Sequence, residues 1–393
     1  MGLGRVYDRL SNCQGCSECY GRGPRIPWAD ANDTTAEWIC PTLDQFKVLS
    51  HTARGKQFLA MEVAQGDLPV TDDLIQIFYS DPGCGLCTSI CPQLSLDFLK
   101  AMREEIAERG LLPEPNRKLD LNIRERHNIF GSPPERRANW ARGLKLSKKG
   151  ETLYFAGCYA SYRQPSSAQA AVKILRACGV ETAYLAEDEW CCGLHPAWSS
   201  QRNIEVEMAY HNLEKILESG AQRVVFSCAG CYSSFKTRYR EIAKLDFEIM
   251  HMAELLVELL HNGRLQMPDG HKKKVTYHDP CHLGRGHLGK NSEVYMAPRE
   301  LLKSMDSVEL IEMAFNSRWS YCCGGGAGVV SAAYPNVTKS MSQKRLKEAK
   351  EAAPILLTTC PRCIENLMDT AKEQHLNISV KDLTSFLAEE MGI

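Results

Sequence analysis

Cys322 and Cys323 stand side by side in the stretch SYCCGGGAGVV, followed by three glycines. Adjacent cysteines cannot easily bond to one another, because a disulfide requires a specific geometry. The pair instead offers two thiolates at one point. The chain holds 18 cysteines, and ten of them fall into a duplicated spacing. Cys158 is followed after 32 residues by Cys191-Cys192, then after 35 more by Cys228-Ala-Gly-Cys231. Cys281 is followed after 40 residues by Cys322-Cys323, then after 36 more by Cys360-Pro-Arg-Cys363. Each copy reads C, CC, CxxC, and each pair precedes a glycine, Gly193 or Gly324. The N-terminus MGLGRVYDRLSNCQGC lacks a signal-peptide apolar run. In a chain read as cytoplasmic on that ground, dense cysteine points to metal or redox chemistry rather than to disulfides. Cys178 falls outside the template and is expected to be a buried structural thiol.

A third group lies near the start: CQGCSEC, ICP and CGLCTSICP. The bacterial ferredoxin run is C-x2-C-x2-C-x3-C-P, with its fourth cysteine ligating the other cluster. Cys84, Cys87 and Cys91-Pro92 fit the second such run, with Asp81 where its first cysteine should stand. Cys13, Cys16 and Cys19 open the first, whose fourth cysteine is displaced to Cys40-Pro41. Crossing the ligands gives one complete set, Cys13, Cys16, Cys19 and Cys91. The other is Cys40, Cys84 and Cys87, with Asp81 as candidate fourth ligand. Carboxylate is harder than thiolate, so that site is expected to be chemically distinct: Asp-ligated, a three-iron cluster, or completed by water. The alternative is that Asp81 is a turn residue, since SDPGC is good turn chemistry.

Positioning these cysteines requires a scaffold. ETLYFAGC, RVVFSC, KKVTYHDPC and PILLTTC are short β-type runs that each end at a cysteine. TAYLAEDEWCC and VELIEMAFNSRWSYCC place a strand-like run before each pair. Helical patterns such as SAQAAVKILRAC, IEVEMAYHNLEKILESG and VTKSMSQKRLKEAKEAA lie between. Alternating strand and helix predicts α/β units with parallel sheets, and ligands gather at the carboxyl ends of such strands. Each repeat should therefore bring five thiolates to one crevice, the two crevices facing each other across a pseudo-two-fold axis. The region before them reads as helical, for example LSLDFLKAMREEIAERG. The organisation expected is a helical iron–sulfur domain over 1–130, a Pro-rich basic linker with a solvated charge run over 131–150, and repeats over 151–265 and 266–393. GGGAG is not a dinucleotide fingerprint, because Val329 takes the place of the third glycine. Gly193, Gly324, Gly325 and Gly326 are expected to let backbone approach an inorganic cluster.

The net charge of −1 argues against a nucleic-acid binder, and no apolar run is long enough to span a membrane. Zinc fits the CxxC spacings but has no use for five cysteines with an adjacent pair, twice. A thioredoxin-like reading of VVFSCAGCYSSF leaves the paired cysteines unexplained.

The duplicated C, CC, CxxC template resembles the CCG domain of heterodisulfide reductases. The N-terminal part resembles their two-cluster helical ferredoxin subunit. The fused order resembles the D-type subunit and the iron–sulfur subunits of anaerobic glycerol-3-phosphate and lactate-oxidising systems, over nearly the whole chain. The resemblance implies one noncubane [4Fe-4S] cluster on Cys158, Cys191, Cys192, Cys228 and Cys231, and another on Cys281, Cys322, Cys323, Cys360 and Cys363. It also implies two ferredoxin-type clusters, no flavin in this chain, and a flavin-containing A-like partner subunit with ferredoxin or a similar carrier. The expected function is an iron–sulfur oxidoreductase subunit of an anaerobic, flavin-based bifurcating complex, for example of the class II benzoyl-CoA reductase kind. The alternative is a catalytic subunit that reduces a disulfide at the paired clusters. His195, His278 and His282 are candidate proton donors or cluster-orienting residues. Arg285 and Arg299 are candidates to recognise an anionic substrate or to offset cluster charge.

Overall fold

The computed structural model describes residues 3–13, 16, 19, 39–91, 95–267, 270–285 and 292–393. Two four-stranded sheets organise the second two thirds of the chain. The first holds β1 (Thr152–Phe155), β2 (Thr182–Ala183), β3 (Arg223–Phe226) and β4 (Glu248–His251) in the order β2-β1-β3-β4. The second holds β5 (Lys273–Tyr277), β6 (Val308–Leu310), β7 (Ile355–Thr358) and β8 (Ser379–Asp382) in the order β6-β5-β7-β8. Every pairing is parallel, and the two orders are the same. The duplication seen in cysteine spacing is thus a duplication of fold.

The central strands are continuous apolar runs because both faces of a parallel sheet are covered. All four residues of β1 are buried. β4 and β8 escape the sequence reading; each is four residues long with an exposed first position. Helices cover the faces. α1 (Leu3–Leu10), α2 (Ala53–Gln65), α3 (Asp72–Tyr79), α4 (Asp97–Glu108) and α5 (Glu114–Arg126) build the N-terminal region. α6 (Pro165–Ala177) and α7 (Arg202–Ser219) serve the first repeat, and α8 (Pro335–Ala352), α9 (Pro361–Glu373) and α10 (Leu383–Glu390) the second. Local chemistry sets their ends. Thr52 and Thr71 accept from the amides of Gly55 (3.0 Å) and Leu74 (3.3 Å) to start α2 and α3. Gly66 and Gly220, both at positive φ, stop α2 and α7.

One core runs through both repeats. Tyr154, Leu175 and Val225 of the first meet Tyr277, Leu357 and Phe386 of the second. The last helix, α10, packs on α6 of the first repeat. Each such buried large apolar side chain contributes about 1.5–3 kcal/mol.

In residues 131–150, expected as a linker with a solvated charge run, Arg136, Arg142, Lys145, Lys148 and Lys149 are exposed, while part of the segment is packed. Pro134–Ala141 forms a 3-10 helix. Arg137 and Trp140 of this segment are buried at 1% and 2% exposure. Trp140 sits against Tyr154 and Tyr184, and Arg137 reaches the first cysteine set, as described below.

Candidate functional site

The cysteines follow the carboxyl ends of the strands. Cys158, Cys228, Cys281 and Cys360 come two to four positions after β1, β3, β5 and β7. Nine of the ten template cysteines line a single cavity of about 80 Å³, together with His195, His282 and Arg362. Their thiols form a row. Cys158 neighbours Cys191, and Cys191 neighbours Cys192. Cys192 neighbours Cys231, and Cys231 neighbours Cys228. Cys228 meets Cys360 across the repeat boundary. Cys360 neighbours Cys363, whose Sγ is 3.3 Å from that of Cys323. Cys322 then links Cys323 with Cys281.

Proton sharing along the row splits the thiols into two kinds. Cys158 is brought down to about 6 by its hydrogen bond with Cys191, helped by the Arg137 guanidinium and opposed by burial. Cys192, Cys281, Cys323 and Cys360 are likewise lowered, first by bonds from neighbouring thiols. Cys191, Cys231, Cys322 and Cys363, on the donating side of those bonds, are pushed up. All 18 cysteines are unbridged. A buried crowd of thiols, several poised to ionise, is a soft donor set that fits iron–sulfur clusters.

Glycines fix the approach. Gly193 and Gly324 have φ of 76° and 82°. A Cβ on Gly324 would lie 2.6 Å from the Thr338 carbonyl oxygen, and one on Gly193 3.4 Å from that of Glu205. Both residues turn the chain immediately after the paired cysteines, which explains why each pair precedes a glycine. Gly325 is near Cys323, where a Cβ would lie 3.5 Å from Sγ. A Cβ on Gly326 would lie 2.8 Å from Val330 and 3.3 Å from Pro82 of the N-terminal region. Gly157 passes closer to sulfur than any of these: a Cβ there would sit 2.7 Å from Cys231 Sγ. Beneath Cys158, the amides of Ala156 (2.8 Å) and Gly157 (2.9 Å) donate to Glu189. Arg137 Nη1 also donates to Glu189 (2.7 Å), and Nη2 reaches Cys158 Sγ (3.6 Å).

The histidines occupy three different places. His195 Nδ1 lies 3.1 Å from the Ala327 carbonyl and Nε2 3.7 Å from Asp120. Burial lowers His195 to about 4 and raises Asp120 to about 7, against the Ser199 hydroxyl. Gly328 makes room for this imidazole, since a Cβ there would be 2.9 Å from Nδ1. Arg345 Nε donates to His278 Nδ1 (3.1 Å). A ring nitrogen of His278 shares a 4.8 Å neighbourhood with the sulfurs of Cys323 and Cys363. His282 Nδ1 is 3.2 Å from Cys281 Sγ. Its pKa rises because the neighbouring thiolate outweighs burial.

The arginines divide cleanly. Arg299 is bound to Asp279 (2.6 and 2.9 Å) and Glu312 (2.7 and 3.0 Å). Arg285, 3% exposed, faces Cys84, Cys281 and Cys322, and its Nη2 has no hydrogen-bond partner among the described residues. A buried guanidinium facing thiols rather than a carboxylate has thiolate as its counter-charge. Arg362, which sequence reasoning passed over, lines the cavity and lies over the Tyr159 ring at 4.9 Å.

In the N-terminal region, Cys19 stands within electrostatic reach of Cys40, Cys13 and Cys91. Cys87 stands within reach of Cys84, Asp81, Cys40 and Cys19. Burial drives the Cys19 thiol up to about 12. Cys16 is exposed, and Pro92 lies outside the described residues. Asp81 has both oxygens engaged: Lys56 Nζ donates to one (2.6 Å) and the Gly83 amide to the other (2.8 Å). Burial opposes its ionisation, but Lys56 and that amide outweigh burial and hold the carboxyl below the usual range. Lys56 is itself fully buried, donating also to Thr42 (3.1 Å) and the His51 carbonyl (2.6 Å), while Thr42 touches Cys40 Sγ (3.4 Å). A lysine within ARGKQFLA carries no sequence signal of such a role. Cys84 adjoins Cys322, so the row of thiols continues from the second repeat into the N-terminal region.

Comparison with known proteins agrees with this arrangement. The cysteine-rich domain family CCG matches residues 152–236 and 275–368. The chain is 31% identical to the D-type subunit of dihydromethanophenazine:CoB–CoM heterodisulfide reductase from Methanosarcina mazei, over 98% of this chain and 94% of that one. It is 28% identical to the EtfAB:quinone oxidoreductase of Syntrophomonas wolfei, over 76% of this chain and 44% of that one. It is 26% identical to the B-type subunit of fumarate reductase (CoM/CoB) from Methanothermobacter marburgensis, over 77% of this chain and 60% of that one. Among the described residues, no helix is long and apolar enough to cross a membrane.

Proposed function

The chain belongs to the family of D-type heterodisulfide reductase subunits, and on that premise we propose that it works as a cytoplasmic electron-carrying member of a multi-subunit, flavin-based complex. In this reading its ferredoxin-type clusters pass electrons to two noncubane [4Fe-4S] clusters. A flavin-containing A-like subunit is the electron donor or acceptor, with ferredoxin or a similar carrier, and a bifurcating complex of the class II benzoyl-CoA reductase kind is the setting. Bound clusters would supply one-electron steps. The observation that carries the reading is the row of thiols from Cys87 and Cys84 through Cys322 to Cys158.

The residues divide the work. Cys158, Cys191, Cys192, Cys228 and Cys231 hold one cluster of the repeats; Cys281, Cys322, Cys323, Cys360 and Cys363 hold the other. Cys13, Cys16, Cys19 and Cys91 form the first ferredoxin-type set, and Cys40, Cys84 and Cys87 the second. The engagement of both Asp81 oxygens supports a counter-ion to Lys56 rather than a fourth ligand. That leaves a three-iron cluster or a water-completed site for the second set. The working division is 1–130, 131–150, 151–265 and 266–393, with the middle segment as a structural brace.

A second reading, disulfide reduction at the paired sets, rests on one observation. The cavity is lined by sulfurs of both repeats and by two imidazoles, those of His195 and His282. His282, beside Cys281, is the better placed to hold a proton for a departing thiolate. Anaerobic iron and sulfide analysis with EPR, before and after adding thiol, separates the two. About sixteen irons per chain without response to thiol is expected for an electron carrier. The same content with a thiol-dependent signal moves disulfide chemistry to first place. An iron content near four or eight would sink both.

A further inference from the structure

Arg285 stands where two groups of cysteines meet. Its buried guanidinium faces Cys84 of the N-terminal region and Cys281 and Cys322 of the second repeat. Cys322 in turn adjoins both Cys281 and Cys84. The side chain therefore lies beside the step at which the row of thiols passes from one part of the molecule to the other.

Its backbone is held in place from both parts. Arg285 has a φ of 52°, in the left-handed region that residues with a Cβ seldom adopt. Its amide donates to the Tyr295 hydroxyl (3.0 Å), and its carbonyl accepts from the Thr88 hydroxyl of the N-terminal region (3.1 Å). A strained residue persists where its surroundings over-determine it, and such residues cluster at functional sites.

Its company is also unusual. Other buried guanidiniums each meet a carboxylate: Arg137 meets Glu189, Arg299 meets Asp279 and Glu312, and Arg345 meets Glu348. Arg285 makes no ion pair with a carboxylate among the described residues. Nη1 donates to the Ser320 carbonyl, and Nη2 has no hydrogen-bond partner among those residues. Asp279, two positions before Cys281, is taken up by Arg299 and by the Ser317 amide (2.7 Å). A buried, uncompensated cation stabilises negative charge that arrives nearby, because little solvent screens it.

We propose that Arg285 is a redox-tuning residue shared by two cysteine sets, the second ferredoxin-type set and the set of the second repeat, favouring an added electron on either one. Its charge raises the two together relative to the sets on either side, at the point where electrons cross between the N-terminal region and the repeats. One electron passing there makes and breaks no bond and needs no proton. The proposal rests on the electron-carrier reading of the preceding subsection, through the clusters both sets hold in it.

Redox titration of the anaerobic, cluster-loaded full chain tests it, followed by EPR and by Mössbauer spectra, which see every iron. Arg285→Gln is expected to keep its iron and to lower two of the four cluster potentials. Each should fall by about tenfold in the reduced-to-oxidised ratio, which is about 59 mV for one electron. The other two should not move. Arg285→Lys keeps the charge and should hold both potentials within about threefold of native. Native potentials in Arg285→Gln, or loss of its iron, would overturn the proposal. So would a shift of one potential alone or of all four, or an equal fall in Arg285→Lys. A native chain that holds only four or eight irons would sink the electron-carrier reading itself.

Discussion

The sharpest single-residue contrast lies between Asp81 and Asp120, two sheltered carboxyls held in opposite states. Lys56 keeps Asp81 ionised. Removing the carboxylate leaves a fully buried ammonium with only neutral acceptors, so Asp81→Ala should cost about 3 kcal/mol or more in denaturant unfolding while iron content stays the same. Loss of iron without loss of stability would restore Asp81 as a ligand. Asp120 is met by the Ser199 hydroxyl and by His195, which burial keeps uncharged above about pH 4, and burial raises Asp120 to about 7. Its unfolded value is near 4. Between those values the folded chain keeps a proton that the unfolded chain releases, so stability falls as pH rises from about 4 to 7 and is flat above. Asp120→Asn should therefore be more stable than the native chain at pH 8, by on the order of 2–4 kcal/mol. The margin should narrow steadily as the pH is lowered to 5. Melting curves across that range check it, and a pH-independent margin would locate the cause elsewhere. Neither state was legible in the sequence. SDPGC reads equally as turn or ligand, and Asp120 acquires its environment only when α5 meets His195 and Ser199 of the first repeat.

At the scale of elements, the sequence was most transparent where burial is two-sided. β1, β3, β5 and β7 announce themselves as apolar runs ending at cysteines, and their burial accounts for that. β4 and β8 are lateral strands that alternate in burial, and over four residues such alternation is too short to separate from loop. In the basic 131–150 segment most charges are exposed as composition suggests, but the burial of Arg137 and Trp140 was not legible, because composition says nothing of partners. Arg137 is tolerated inside because Cys158, the His127 carbonyl and Glu189, fifty-two positions on, meet it. The two glycine turns after the paired cysteines look interchangeable in sequence but differ in the space around them. Gly193→Ala meets ordinary contacts, with 3.4 Å to the nearest atom. It should cost about 1–2 kcal/mol for its left-handed backbone. Gly324→Ala must also displace the Thr338 carbonyl, 2.6 Å away, and should cost about 3 kcal/mol or more. Urea midpoints of the two variants should rank in that order; equal midpoints would mean that the α8 backbone gives way freely.

For the molecule as a whole, the repeats are joined by more than sequence. α10, the last element of the second repeat, covers α6 of the first, and one core contains residues of both. Truncation after Asp382 should therefore unfold the first repeat along with the second. Far-UV circular dichroism and the fluorescence of buried Trp140 should be lost in one transition at a lower denaturant concentration. Two separated transitions would show that the repeats stand independently.

The contact between Cys84 and Cys322 has a consequence for the symmetry of the molecule. Two copies of one α/β unit, placed face to face, would ordinarily present equivalent ends, as identical protomers do in a closed dimer. Here both copies share a chain, and only the second has the N-terminal cysteines against its pair. The arrangement therefore has a head and a tail. Each half is free to accumulate changes the other does not share, because no symmetry operator copies a substitution in one onto its twin.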